Sequence, residues 1–516
     1  MLELRPIIFH CLAVTVATRS KQKLRRVALL LLLSVSGLAY AGPWVSSGDS
    51  GLRSDLTTLA DAGVLSSPMT TWPIPWGDIM ADLREVDLGT LSASQRMARE
   101  RVRIAARMET RTGTLSGMAR ISVAEKQLAI RSFEDTPRED AEISSSIAWT
   151  GERFAFALEG TYVSTAENKT ETRPDGSYFG ISLGNWMVVL GYPERWWGPG
   201  WDGSLILSTN ARPTPQVAVS RNSATPFRSR WLRWIGPWTL TAFMGTLDDV
   251  RVVNDARLFG MRVAFKPLPS LEVGLSRTAQ WCGDGRPCDA EAFGNLLLGR
   301  DNRGVNVTQE EEPGNQLAGF DIRWVMPWWN RSAAVYAQWI GEDTRQGGPQ
   351  PGDWLRLLGV EYSGAALGGR WRHRSYIELA DTICQQGGLG FSGDQPNCAY
   401  RHGIYQTGYR YEGRSIGHGI DGSGNGFSLG SILQRGDDTR WQFSLRNFEI
   451  SKVGSADSNH SISPTPQEIV ELSVLHARAL WIGELRVGLG YRDVTDAVNT
   501  ARNDGSVFGW LEFVIR

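Results

Sequence analysis

The sequence carries no excess of either charge: 54 Lys and Arg stand against 55 Asp and Glu in 516 residues. A dedicated nucleic-acid binder shows a strong basic excess, so that class is disfavoured. No apolar run reaches the roughly 20 residues that a membrane-crossing helix needs. Hydrophobic residues still make up 41% of the chain, too many for a disordered one. Cysteine is scarce, at 5, and so is histidine, at 6. There is no C-x-x-C, no clustered His and no H-E-x-x-H, so no metal and no cofactor is expected. A clean repeat at about 40–50 residues is also missing, which disfavours a β-propeller.

Glycine, at 57, and tryptophan, at 21, are abundant instead. A basic cluster (Lys21, Lys23, Arg25, Arg26) precedes an apolar stretch from Val27 to Leu38 and then Ala39-Tyr40-Ala41. That order of charge, short apolar run and small residues reads as a cleavable secretory signal over residues 1–41. Its removal leaves a net charge of −6 and the four cysteines Cys282, Cys288, Cys384 and Cys398. An even count in an exported chain suggests two disulfides. The close spacings favour Cys282–Cys288 and Cys384–Cys398, although four cysteines allow three pairings.

The remainder divides near residue 110. Over 42–110 the apolar period is helical. Asp49 is placed to cap a helix through Leu52, Leu56 and Leu59 that ends near Gly63, and Ser92-x-x-Gln95 resembles a capping box. Arg96, Arg99, Arg103 and Arg107 share the other face of that second helix. A solvated face is its ordinary meaning; contact with acidic lipid, an acidic barrel rim or an acidic polymer is the alternative. From 111 to 516 the period is two: Ile143, Ile147 and Trp149; Phe259, Met261, Val263 and Phe265; Leu485, Val487, Leu489 and Tyr491; Val507, Leu511, Phe513 and Ile515. Dyad repeats mean strands with one apolar face. Long polar segments (283–319, 341–353, 381–399, 451–467) alternate with tight turns, as in outer-membrane barrels. Trp231, Trp234, Trp238, Trp328, Trp329, Trp371 and Trp441 sit near strand ends, where two interfacial belts would lie. The expected fold is mainly β: a large antiparallel transmembrane barrel of about 18 strands behind a small N-terminal helical bundle.

Chemical motifs are mostly decoys. Gly198 to Gly203 and Gly417 to Gly422 both satisfy G-x-G-x-x-G, but neither precedes a helix. Gly180-Ile181-Ser182-Leu183-Gly184 satisfies G-x-S-x-G inside alternating strand. One segment stands apart, Trp196-Trp197-Gly198-Pro199-Gly200-Trp201-Asp202, followed by Asn210 and Arg212. Indole faces stack on sugar rings, carboxylates and amides bond hydroxyls, and Arg grips a carboxylate with two N–H groups. The bland reading of the same residues is a lumen-filling plug.

This block, with Gly48-Asp49-x-x-Leu52-Arg53-x-Asp55-Leu56, Thr71-Trp72-Pro73, Trp76 and Ser208-x-Asn210-Ala211-Arg212-Pro213, resembles the Wzi family of capsule-assembly outer-membrane proteins. The resemblance implies an 18-stranded barrel in the outer membrane of a Gram-negative cell, with its helices at the periplasmic end. It also implies a non-enzymatic, lectin-like role: capsular or related exopolysaccharide would be bound and attached at the cell surface. Outer-membrane lipid and the polysaccharide export machinery would be the other partners. Trp196, Trp197, Trp201, Asp202, Asn210 and Arg212 are the expected contacts. A porin-like channel and an outer-membrane carbohydrate-active enzyme are the competing classes. The terminal Arg516 departs from the aromatic end common in such barrels.

Overall fold

Each dyad repeat forms a strand, and the strands close on themselves. The computed structural model describes residues 42–515 except 165, 167–169, 299–313, 329–330, 345–350, 387–394, 453–456 and 499–502. The signal segment expected over 1–41 and Trp329 lie outside the described residues. The barrel strands are β1 Leu115–Glu125, β2 Ala141–Thr150, β3 Phe154–Ser164, β4 Tyr178–Leu183, β5 Trp186–Gly191, β6 Gln216–Arg221, β7 Trp238–Thr246, β8 Arg257–Leu268 and β9 Leu271–Trp281. They continue as β10 Gly314–Val325, β11 Ala333–Thr344, β12 Pro351–Ala366, β13 Trp371–Gln386, β14 Asn425–Arg435, β15 Thr439–Ile450, β16 Gln467–Leu480, β17 Gly483–Asp496 and β18 Asp504–Ile515. Thr172–Arg173 and β4 both pair with β3 and form one interrupted strand, so the closed barrel has eighteen. Closure is made by β18 on β1, with Ile515 opposite Ala119.

The pleat separates two solvents. Ile147, Leu158, Val217, Leu489 and Val507 stand exposed on the outside, where lipid lies. Arg262, Arg356, Arg372, Arg374, Glu361 and Glu378 are buried on the inside. Phe259 points outward but is covered by Phe293, from a helix in the loop after β9, with ring centroids 5.4 Å apart. Turns at one rim are as short as residues 184–185, 269–270 and 481–482, whereas the opposite connections include 126–140, 192–215 and 387–424. By the usual asymmetry the short-turn rim is periplasmic. The belt expectation needs correction here. The described Trp residues singled out from sequence (Trp231, Trp234, Trp238, Trp328, Trp371, Trp441) all fall at this inner rim; Tyr162, Trp339, Trp354 and Tyr491 mark the outer one.

The helices do not stand apart from the barrel. They are α1 Ser50–Asp61, α2 Trp76–Glu85 and α3 Ala93–Glu109. Asp49 caps α1 by accepting from the Leu52 N–H at 3.0 Å, and Ser92 with Gln95 forms a reciprocal capping box on α3. Leu56, Leu59, Trp72, Trp76, Ile79, Val102 and Ala106 share one apolar core. Helix α1 is buried along almost its whole length because it sits inside the inner mouth. Its Asp61 receives Arg323 at 2.7 Å and Arg374 at 3.3 Å, and its Asp55 receives Arg101 at 2.6 Å and also Arg372. On the arginine face of α3, Arg96 and Arg107 are exposed, while Arg99 and Arg103 turn to Glu100 on their own helix. That is the solvated-face reading.

Candidate functional site

The loop 192–215, between β5 and β6, turns inward and meets α1 in the middle of the lumen. Trp196 and Trp197 pair edge to edge with Trp72 and Thr71, so the loop and the helical segment share a two-stranded ribbon. Trp201 and Trp196 flank Arg53 of α1, whose guanidinium carbon lies 4.1 Å and 5.8 Å from their ring centres. Arg53 also donates to the Pro199 carbonyl at 2.8 Å. Burial lowers its pKa to about 10, against the opposing pull of Glu361, Tyr336 and Glu378. The glycines of this loop allow close approach: a methyl group on Gly203 would lie 2.0 Å from Nε2 of His418.

The barrel wall completes the plug. Glu378 accepts the N–H groups of Trp201 and Gly203, each at 2.8 Å, and Glu361 accepts the Trp201 indole N–H at 2.8 Å. Arg446 holds Asp202 at 2.7 Å. Asn210 donates to the Ser415 carbonyl at 3.0 Å, linking this loop to the long one that follows β13.

The six residues expected to touch sugar all lie on the loop 192–215, and five of them are buried in the plug. Trp196 and Trp197 are 0% exposed, Trp201 3%, Asp202 1% and Asn210 1%. Trp196 and Trp197 have no free face in this arrangement, and Asp202 is matched to Arg446. Arg212 differs. It pairs with Asp175 at 2.7 Å and leans on Glu412 at 3.8 Å, at the floor of a small outward pocket. Arg131, Arg138, Arg173, Arg212 and Arg414 line that pocket with Glu139 and Glu412, and Asp135 and Asp175 pair with Arg131 and Arg212 from just outside it. Arg138 is held by the carbonyls of Thr209, Asn210 and Ala211, and burial lowers its pKa to about 10. Sequence reasoning missed this pocket because four separate segments supply it: 126–140, the segment around Arg173, the loop 192–215 that carries Arg212, and the loop after β13 that carries Glu412 and Arg414.

Below the plug lies a cavity of about 620 Å³ that reaches the inner rim at Arg435, Asp438 and Trp481. Its upper wall includes Arg138 and Arg173, which it shares with the outward pocket. The two G-x-G-x-x-G stretches lie in the plug, and the G-x-S-x-G stretch lies in β4 and its turn. Cys282 is bonded to Cys288 and Cys384 to Cys398, with Cα atoms 4.6 and 5.9 Å apart. Both bridges sit at the outer rim.

An eighteen-stranded barrel, apolar outside, charged inside and stoppered by its own helix and loop, defines a plugged outer-membrane β-barrel protein. The chain belongs to the capsule assembly protein Wzi family, whose model matches residues 111–502. A 55.8 kDa Klebsiella pneumoniae protein in the cps region is 31% identical over 368 residues, covering 70% of each chain. The structure of Wzi from Escherichia coli, described as a carbohydrate-binding β-barrel involved in group 1 capsule assembly, superposes with a TM-score of 0.79 at 24% identity. It covers 92% of this chain and 99% of that one. OprD of Pseudomonas aeruginosa reaches only 0.41 at 10% identity, with 78% and 94% covered.

Proposed function

We propose that this protein holds capsular or related polysaccharide at the outer surface of the outer membrane, without chemical turnover and without passing solute. The plug carries this reading. Trp196, Trp197, Trp201, Asp202 and Asn210 close the lumen from above while α1 closes it from below, so only the outer loops are left to meet a polymer. The Escherichia coli relative's description as carbohydrate-binding supports the same reading. Within those loops, the half-buried Arg138, Arg212 and Arg414 face one pocket, and guanidinium groups bind the carboxylate of an acidic sugar with paired N–H donors. Individual contacts of this kind are weak, and repetition along the polymer multiplies them.

The test is binding of the purified protein to its own organism's capsular polysaccharide, before and after reduction of the polymer's carboxyl groups. Binding of the native polymer is expected, with a tenfold or larger loss for Arg414→Gln in a barrel that still shows its heat-modifiable gel shift. No binding to any host polysaccharide removes the proposal. Equal binding of native and reduced polymer removes the acidic-sugar part alone.

A further inference from the structure

One inner connection is unlike the others. The turns at the inner rim are otherwise short, yet residues 222–237 run between β6 and β7. Their sequence, Asn-Ser-Ala-Thr-Pro-Phe-Arg-Ser-Arg-Trp-Leu-Arg-Trp-Ile-Gly-Pro, contains three arginines and no acid. Its root is tied to the helical segment, where the Ala224 N–H donates to Asp78 at 2.6 Å. Its tip turns the other way and lies on the outer face of the barrel. Trp234 meets Phe265, a lipid-facing residue of β8, edge to face at 6.4 Å. Phe227 stacks on Trp238 at 4.6 Å, and Arg221 covers the same indole at 3.7 Å.

What this tip presents is both apolar and cationic. Trp231 is 75% exposed, Trp234 61% and Leu232 41%. Arg228, Arg230 and Arg233 are exposed beside them. Among the described residues none of the three has a carboxylate within ion-pair distance; Arg230 instead lies 5.1 Å from the Trp231 ring centre. The apolar side chains continue the lipid-facing wall of β6 to β8, at the level of the inner aromatic belt. A loop rooted on the periplasmic side, with Trp in the interface and unpaired Arg beside it, matches a bilayer surface bearing phosphate.

We propose that this loop binds the headgroups of anionic phospholipid in the periplasmic leaflet. Trp231, Leu232 and Trp234 enter the interface, and Arg228, Arg230 and Arg233 neutralise phosphate there. Basic residues near an anionic surface each contribute severalfold to binding, and three together outweigh the attraction to a zwitterionic surface. The test uses the full exported protein in detergent, with phosphatidylglycerol or phosphatidylcholine added and retained lipid counted by native mass spectrometry. Phosphatidylglycerol should be retained at roughly tenfold or lower concentration than phosphatidylcholine, and the preference should weaken in high salt. Arg228→Gln/Arg230→Gln/Arg233→Gln should abolish the preference, whereas the matching triple Lys variant should keep it. Both variants are checked for the heat-modifiable shift. Equal retention of the two lipids by the parent protein overturns the proposal, and is the result expected of a loop that serves a protein partner. An unchanged preference in the Gln variant overturns it as well, by placing the anionic lipid elsewhere on the barrel.

Discussion

The guanidinium of Arg53 is held between the Trp201 ring, 4.1 Å from its centre, and the Phe133 ring, 4.3 Å from its centre. Arg53 comes from the helix that enters the inner mouth, whereas Trp201 and Phe133 come from outer loops. This contact therefore joins the two halves of the stopper. Arg53→Ala should cost about 3 kcal/mol, combining a desolvated cation–π contact with an orphaned Pro199 carbonyl. In planar bilayers the parent should give no steady open current, and the variant should give discrete openings. Silence from both, with an unchanged gel-shift midpoint, would show that this contact does not hold the stopper.

Close approach makes a second test. Gly203→Ala places its methyl 2.0 Å from His418 Nε2, where a buried ring and two loops must move. Overpacking of this kind costs about 1–3 kcal/mol. Gly77→Ala is the control: nothing lies within 4 Å of the added methyl, and the site is in α2, where Ala is the better helix former. The midpoint of thermal unfolding should fall for Gly203→Ala and hold or rise for Gly77→Ala. Equal effects would contradict the tight packing of the loop.

Much of the fold was legible because it depends on local pattern. Ile143 and Ile147 alternate with Glu142, Ser144 and Ser146 on one strand, and Asp49 and the Ser92/Gln95 pair act within one helical turn. The candidate site was not legible for the opposite reason. Trp201 looks like a sugar platform until Glu361 and Glu378, 160 and 177 residues away, take its indole and backbone N–H groups. Nothing near Trp201 in sequence says that its loop turns into the lumen. The Trp belts failed similarly: which rim a strand end occupies depends on the direction of every preceding strand, which local aromatics do not report.

His418 sets a pH dependence. It lies in the loop after β13, where burial lowers its pKa to about 4, with Asp202 pulling it up and Arg446 down. The unfolded chain takes up a proton near pH 6.5 and the folded protein does not. The stability tied to the neutral ring is therefore complete above pH 6.5 and is lost as pH falls to about 4, a loss of about 3 kcal/mol. Burial also lowers the pKa of His460, so its contribution has the same sign. Asp421 acts lower: burial raises it, but Arg410 and then His460 prevail and hold it at about 2, so its contribution is lost only from about pH 4 downward. The unfolding midpoint of His418→Gln should change less than the parent's between pH 7 and pH 4.5. Parallel curves would exclude the ring as the titrating group.

The two disulfides should differ in what they protect. Cys384–Cys398 closes the base of the long loop after β13, just before Ala399 and Tyr400. The Tyr400 hydroxyl donates to the Leu205 carbonyl at 2.6 Å, and its ring stacks on Tyr409 at 5.8 Å. This bridge therefore pins the segment that caps the plug from outside. A loop of this length is worth about 3 kcal/mol through restriction of the unfolded chain. Cys282–Cys288 closes a shorter ring, with a somewhat smaller entropic effect. Cys384→Ser/Cys398→Ser should lower the unfolding midpoint and open residues 395–424 to protease while the barrel stays intact. Cys282→Ser/Cys288→Ser should leave that segment resistant. Cleavage at the same rate in both double variants would mean that the plug contacts of Tyr400, rather than the covalent bridge, hold the outer cap in place.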